Sequence, residues 1–212
     1  MTSGRASAVI AAFLVAALAR ASVSIITPDT SIETLLTILA RTPPRAIAFT
    51  EIRSSALLET ELIVSGTLEY AAPGKLSRIV SQPYEERTDI DGDEVRITRP
   101  DRPERRFSLK RAPELRGLLT SFSAILGGDH AALEREFDLS LATAQADWQL
   151  TLTPRNKRAR ASIGSIRVRG AGDTPTCITI GGNGGASTAL LLGAAAIPDA
   201  AGQHALHCGV LP

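Results

Sequence analysis

The sequence predicts a mainly β, α+β domain: a curved antiparallel sheet folded part-way into a half-open β-barrel, with helices forming a lid over its concave side. Three observations carry this. Between Glu61 and Arg111 apolar and polar residues alternate in short runs separated by hairpin turns. Two stretches of helical period, around Leu36 and around Phe122, interrupt the strands. Alternation then returns and continues to Leu192, so the chain supplies more strands than a sheet holds without curling.

The elements follow in order. Arg5 precedes an uncharged run from Ala6 to Ala19, the length of a signal-peptide core and short for a bilayer span, and Ala19-Arg20-Ala21 has the small-x-small pattern of a cleavage site. Residues 1–21 are therefore expected to be a signal peptide, with 22–212 as one domain; no cysteine follows the cut to carry a lipid anchor. Thr30 and Glu33 can form a capping box for a helix with Ile32, Leu35, Leu36 and Leu39 on one face, ended by Pro43-Pro44. Ile47, Phe49 and the residues to about Ser54 read as the first strand. In the next, Leu62, Val64, Gly66, Leu68 and Tyr70 face one way and Ile63, Ser65, Thr67 and Glu69 the other.

Pro73-Gly74 turns the chain into a strand from Leu76 to Gln82, and Asp91-Gly92 joins Glu86–Ile90 to Glu94–Thr98. A charged hairpin from Arg99 to Arg106 leads to a strand marked by Phe107 and Leu109. Pro113 opens a second helix whose apolar stripe includes Leu115, Leu118, Leu119, Phe122, Ile125 and Leu126 before Gly127-Gly128. Asp129 caps a short third helix through Arg135. Strands follow at Phe137–Leu141, Trp148–Leu152, Ser165–Arg169, Thr176–Ile180 and Ala186–Leu192, with Gly181 to Gly185 as the last hairpin loop. From about residue 198 the tail has no readable period.

Composition narrows the function. The formal net charge of +1 argues against a broad nucleic-acid footprint. Cys177 and Cys208 both lie beyond the cleavage site and can pair in an oxidising compartment, closing a loop of about thirty residues for roughly 3–4 kcal/mol in the chain-entropy model. An ordinary buried Cys177 and a free tail thiol are the alternative. Asp89, Asp91, Asp93 and Glu94 lack the spacing of a calcium loop and read as a solvated hairpin. His204, His207 and Cys208 lack a second ligand pair, so no metal or other cofactor is expected. The sequence holds no Gly-x-Ser-x-Gly elbow, no His-Glu-x-x-His and no phosphate-cradling loop, so no enzyme activity is expected either.

Phe49-Thr50-Glu51, the run Gly66 to Arg78 with its Pro73-Gly74 turn, Gln82-Pro83 and Asp91-Gly92 resemble the opening strands of the LolA-type lipoprotein-carrier family. The Phe122 helix followed by the Phe137 and Trp148 strands resembles that family's later half, and the similarity runs from about Ile32 to Leu192. The resemblance implies a periplasmic carrier of Gram-negative bacteria, which takes acyl chains from an inner-membrane exporter and hands them to an outer-membrane acceptor. One departure stands out. Ala72 occupies the place before Pro-Gly where the carriers have an arginine that latches the lid, which favours a relative carrying another lipid or acyl-derived product.

The candidate ligand-binding residues are Phe49, Leu62, Val64, Leu68, Tyr70 and Phe107 from the sheet, and Leu118, Leu119 and Phe122 from the helix. Plain core packing is the alternative role for each. Two basic clusters, one including Arg105 and Arg106 and the other Arg155 and Arg158, are candidate docking surfaces for anionic headgroups or an acidic acceptor. Ordinary surface charge is the usual reading of such clusters. A monomer is expected. The competing functional reading is an envelope interaction module whose sheet packs on its own helices and whose basic faces bind a partner.

Overall fold

The computed structural model describes residues 26–40, 45–54, 59–72, 74–111, 122–182, 186–197 and 208. The expected signal peptide, Leu115, Leu118 and Leu119 lie outside them. Eleven strands form one antiparallel sheet in the order β6-β5-β4-β3-β2-β1-β11-β10-β9-β8-β7. They are β1 (Arg45–Ser54), β2 (Leu62–Ala72), β3 (Lys75–Gln82), β4 (Glu86–Asp91), β5 (Glu94–Arg99), β6 (Arg102–Ser108), β7 (Phe137–Ala144), β8 (Asp147–Pro154), β9 (Ile163–Ala171), β10 (Thr174–Gly182) and β11 (Ser187–Leu192). The sheet is curved and unclosed, so β6 and β7 are free edges. Neighbours in the chain pair as hairpins on either side of a central junction where β1 meets both β2 and β11.

The helices are α1 (Ile32–Leu39), a helical segment at residues 122–127, α2 (His130–Glu136) and α3 (Lys157–Ser162). Among the described residues no helix is long and apolar enough to cross a membrane. Ser31 caps α1 by accepting a hydrogen bond from the Thr34 amide, displacing the expected Thr30. Thr30 instead accepts from the Thr27 amide and closes the preceding turn, a local alternative open to any short hydroxyl side chain. Asp129 caps α2 as expected of a short oxygen-bearing side chain. The helix α3, capped by Asn156, has too few residues to show a period, which is why the sequence does not announce it.

Residues paired directly across an antiparallel ladder share a face, so the registers sort the sheet into two faces. The concave face carries Phe49, Val64, Leu68, Val80, Trp148, Leu150, Leu152, Ile166, Val168, Ile178 and Leu192, all buried. Leu35, Leu36 and Leu39 of α1, Ala124 and Ile125, and Ala132 and Leu133 of α2 join them in one core. Coverage is uneven. Of the β3–β6 half, Val80 is the one residue in that buried cluster among the described residues, so the described helices pack mainly on β7–β10 and leave much of the other half of the concave face without a described helix against it.

The edge strand β6 begins at Arg102, earlier than Phe107 and Leu109 suggest, and Leu109 itself is buried in a 3-10 turn. The hairpin expected from Arg99 to Arg106 is therefore mostly strand, whose arginines hide its period-two pattern; charge on a free edge disfavours edge-to-edge pairing. On the convex face Cys177 and Leu191 form a smaller cluster with Ala196. The 3-10 turn Gly193–Ala196 is pinned there by Thr50, whose hydroxyl donates to the Ala196 carbonyl at 2.8 Å. Cys177 is joined to Cys208, with Cα atoms 5.7 Å apart, fastening the C-terminal tail to this face.

Candidate ligand-binding site

The part of the concave face that the described helices do not cover borders a cavity of about 320 Å³. Two consecutive cross-strand rows build most of its wall. One is Leu76, Ile90, Val95 and Phe107, running from β3 to β6. The other is Leu68, Arg78, Thr88 and Ile97, from β2 to β5. Ile178, Ile180 and Leu190 close the β10–β11 side, and Phe122 reaches in from the helical segment. The lining is aliphatic and aromatic, as in a site that holds a hydrocarbon by solvent exclusion without directed chemistry.

Glu51, Arg53 and Arg78 also line this cavity. Glu51 lies two residues from Phe49 and Arg53 four, so the strand period puts both on the concave face. Arg78 donates from Nη2 to Glu51 Oε2 at 2.6 Å and from Nη1 to Glu86 Oε1 at 3.4 Å. Arg53 Nε donates to Glu51 Oε1 at 2.5 Å, and Arg99 Nε donates to Glu86 Oε2 at 2.7 Å. The result is an alternating ladder, Arg53–Glu51–Arg78–Glu86–Arg99, with three guanidinium groups and two carboxylates.

Arg78 also stacks over the Phe49 ring, 5.1 Å from its centroid, and Arg99 stacks over Tyr84 at the same distance. Burial by itself would raise the Glu51 pKa, but the hydrogen bond from Arg53 and the charges of Arg78 and Arg53 outweigh it. The carboxyl is held below its ordinary range. The hydrogen bond to Glu86 raises the Arg99 pKa further.

Of the sequence candidates, Leu68, Phe107 and Phe122 line the cavity. Phe49 is buried beneath Arg78, Val64 is packed in the core, and Tyr70 is buried on β2. Leu62 sits at the exposed start of β2. Arg105 and Arg106 lie on the free edge β6, with Arg106 held by Glu104. Arg155 pairs with Asp138 and donates to the Phe137 carbonyl beside the other edge, and Arg158 is exposed on α3. The sequence reading passed over the ladder and the β4, β5, β10 and β11 wall. Its signal was present: Glu51 and Arg53 interrupt the face defined by Phe49.

A TM-score of 0.42 relates the chain to a LolA superfamily protein from Nitrosomonas europaea, 8% identical, over 77% of this chain and 91% of that one. MucB in complex with MucA(peri) aligns with a TM-score of 0.33 at 13% identity, over 79% of this chain and 57% of that one. No curated protein matches the chain. The family model described as "Outer membrane lipoprotein carrier protein LolA-like" matches residues 26–209. With nearly all of the described fold inside that match, the chain belongs to the LolA-like family.

Proposed function

We propose that this protein is a periplasmic carrier that holds the acyl chain of a lipid or lipoprotein in the cavity and ferries it from the inner to the outer membrane. The observation that carries the reading is the apolar cavity on the half of the concave face that the described helices leave uncovered. Leu68, Leu76, Val95 and Ile178 on this wall are buried, whereas Ile90, Ile97, Phe122 and Leu190 stay only partly buried, which supports a wall that is not fully packed by the protein itself. A methylene occupies about the same volume as a water's share of liquid, roughly 30 Å³, so the cavity accepts about ten of them.

Burial contributes about 0.8 kcal/mol per methylene, a gross gain of roughly 8 kcal/mol before the cost of association. That suits a carrier. It is enough to hold a chain in water, and an acceptor with a larger apolar site can still remove it. The reading includes an exported, monomeric protein, a signal peptide at residues 1–21, loading by an inner-membrane exporter and delivery to an outer-membrane acceptor. It assigns no catalytic step.

The test is native mass spectrometry of protein recovered from the periplasm, with solvent extraction of whatever is bound. A stoichiometric acyl-containing ligand, lost in Phe122→Asp and in Ile97→Asp, is the expected result. Protein that is empty and also refuses lipid and lipopeptide probes would leave the envelope interaction module as the better account.

A further inference from the structure

We propose that the cavity selects a single-chain amphiphile with an anionic head, a carboxylate or a phosphate ester, held by the guanidinium groups of Arg53 and Arg78. This rests on the carrier reading and names the class of cargo.

The apolar wall alone would not discriminate among head groups; the ladder does. Its two carboxylates are nearly sealed, with Glu51 and Glu86 side chains 8% and 10% exposed, and each carboxylate is shared between two arginines. Its arginines are more open. The Arg53 side chain is 48% exposed and gives its Nε to Glu51, leaving the two terminal nitrogens of its fork directed elsewhere. Arg78, 20% exposed, borders the same cavity. Within the ladder the spare hydrogen-bonding capacity is therefore mainly donor capacity, and the ladder carries one more positive charge than negative; the Thr88 and Thr188 hydroxyls that also border the cavity can donate or accept. A guanidinium fork matches the paired oxygens of a carboxylate or phosphate, whereas a neutral head offers it a single uncharged acceptor and a cationic head is repelled.

Stability gives no separate reason for the ladder, because replacing buried ion pairs with apolar side chains is commonly neutral or favourable. Glu51 acts as a positioning residue. In the empty protein it keeps two like charges, Arg53 and Arg78, side by side at the cavity; when an anion arrives, the donors are already gathered and little reorganisation is needed. The volume sets the rest: about ten methylene-sized groups means one medium-length chain.

The experiment is calorimetric titration of the purified, delipidated chain with four probes of one tail length, each below its micelle-forming concentration. These are laurate, dodecyl phosphate, dodecanol and dodecyltrimethylammonium. Laurate, dodecyl phosphate or both should bind at least tenfold more tightly than the other two, which is about 1.4 kcal/mol. Preference between the two anions tells a fatty acid from a phosphate-headed lipid. Arg53→Met keeps the apolar stem and should move the ratio of laurate to dodecanol affinity towards one, a readout that a general loss of apolar binding does not shift. Raising the salt concentration should shrink the same difference. Equal binding of all four probes would overturn the anionic head and leave the carrier intact, whereas binding of none would overturn both.

Discussion

Arg78 on β3 reaches across β2 to bind Glu51 on β1, Nη2 to Oε2 at 2.6 Å, with the Phe49 ring beneath its guanidinium. The strand between them carries Gly66 in the row that pairs with Phe49 and Val80 and so contributes no side chain there. A buried carboxylate with two arginine partners makes stability pH-dependent, and the sign follows from the direction of its shift. Its folded pKa lies below the unfolded value, so the unfolded chain binds the proton first. The contribution is complete at neutral pH and is lost as pH falls below about 4.5 and through the lower folded value. Glu51→Gln should cost about 1–3 kcal/mol at pH 7, as partly exposed arginines lose their partner. Urea denaturation midpoints from pH 7 to pH 3 should show the gap to wild type closing. A gap that stays constant would remove Glu51 from this role.

Gly66 is constrained by space and Gly92 by conformation. A Cβ on Gly66 would lie 1.9 Å from the Ile79 carbonyl oxygen, a backbone atom of β3 that cannot swing aside, next to a register shift between Ser65 and Gly66. Gly92, at φ +58° in the β4–β5 turn, has nothing within 4 Å. Gly66→Ala should therefore cost about 4 kcal/mol or prevent folding. Gly92→Ala should cost about 1–2 kcal/mol, and Gly92→Asn less, because asparagine tolerates the left-handed region. Denaturation midpoints of the three variants decide it, and equal losses for Gly66→Ala and Gly92→Ala would contradict the packing.

Trp148 is the protein's one tryptophan, fully buried, and its Nε1 donates to the Gly172 carbonyl at 2.9 Å. It pairs across the ladder with Gly170, where a Cβ would stand 2.4 Å from the indole. Trp148 reports on the helix-covered half of the core and does not line the cavity. Its emission should shift sharply on unfolding and stay nearly constant on titration with laurate. Trp148→Phe should destabilise by about 2 kcal/mol through the lost hydrogen bond and the void left behind. A large emission change on ligand binding would mean that occupancy rearranges the core.

Cys177 faces away from the cavity, on the convex side of β10. Its link to Cys208 closes a loop with a sequence separation of 31, worth about 3–4 kcal/mol by chain entropy. Reduction, or Cys208→Ser, should lower the thermal midpoint while leaving laurate affinity within about twofold. Thiol alkylation of the unreduced protein checks the pairing directly, since reaction at both positions would rule it out.

How much of this was legible in the sequence depends on range. Alternation in Leu62 to Tyr70 and in Trp148 to Leu152 marks strands because a period of two is local, and the stripes through Leu36 and Phe122 mark helices for the same reason. Failures occurred where local signals were thin. Ser31 and Thr30 are chemically equivalent caps, the charged β6 hides its alternation, and α3 is too short for a period. In the site, Leu68, Phe107 and Phe122 were found through their apolarity, whereas Arg78 and Glu86 were passed over because a charge is read as surface until its partner is known.

The sequence by itself determined the strand faces and the turns that join neighbours, which are set by contacts between residues close in the chain. Tertiary structure alone decided what the concave face does. Phe49 meets Leu192 only because β1 joins two distant halves of the chain. That junction sets Glu51 beside Leu190 and within reach of Arg78. The described helices pack mainly on one half of the sheet, and cover of this kind depends on packing between distant elements, which no local period encodes.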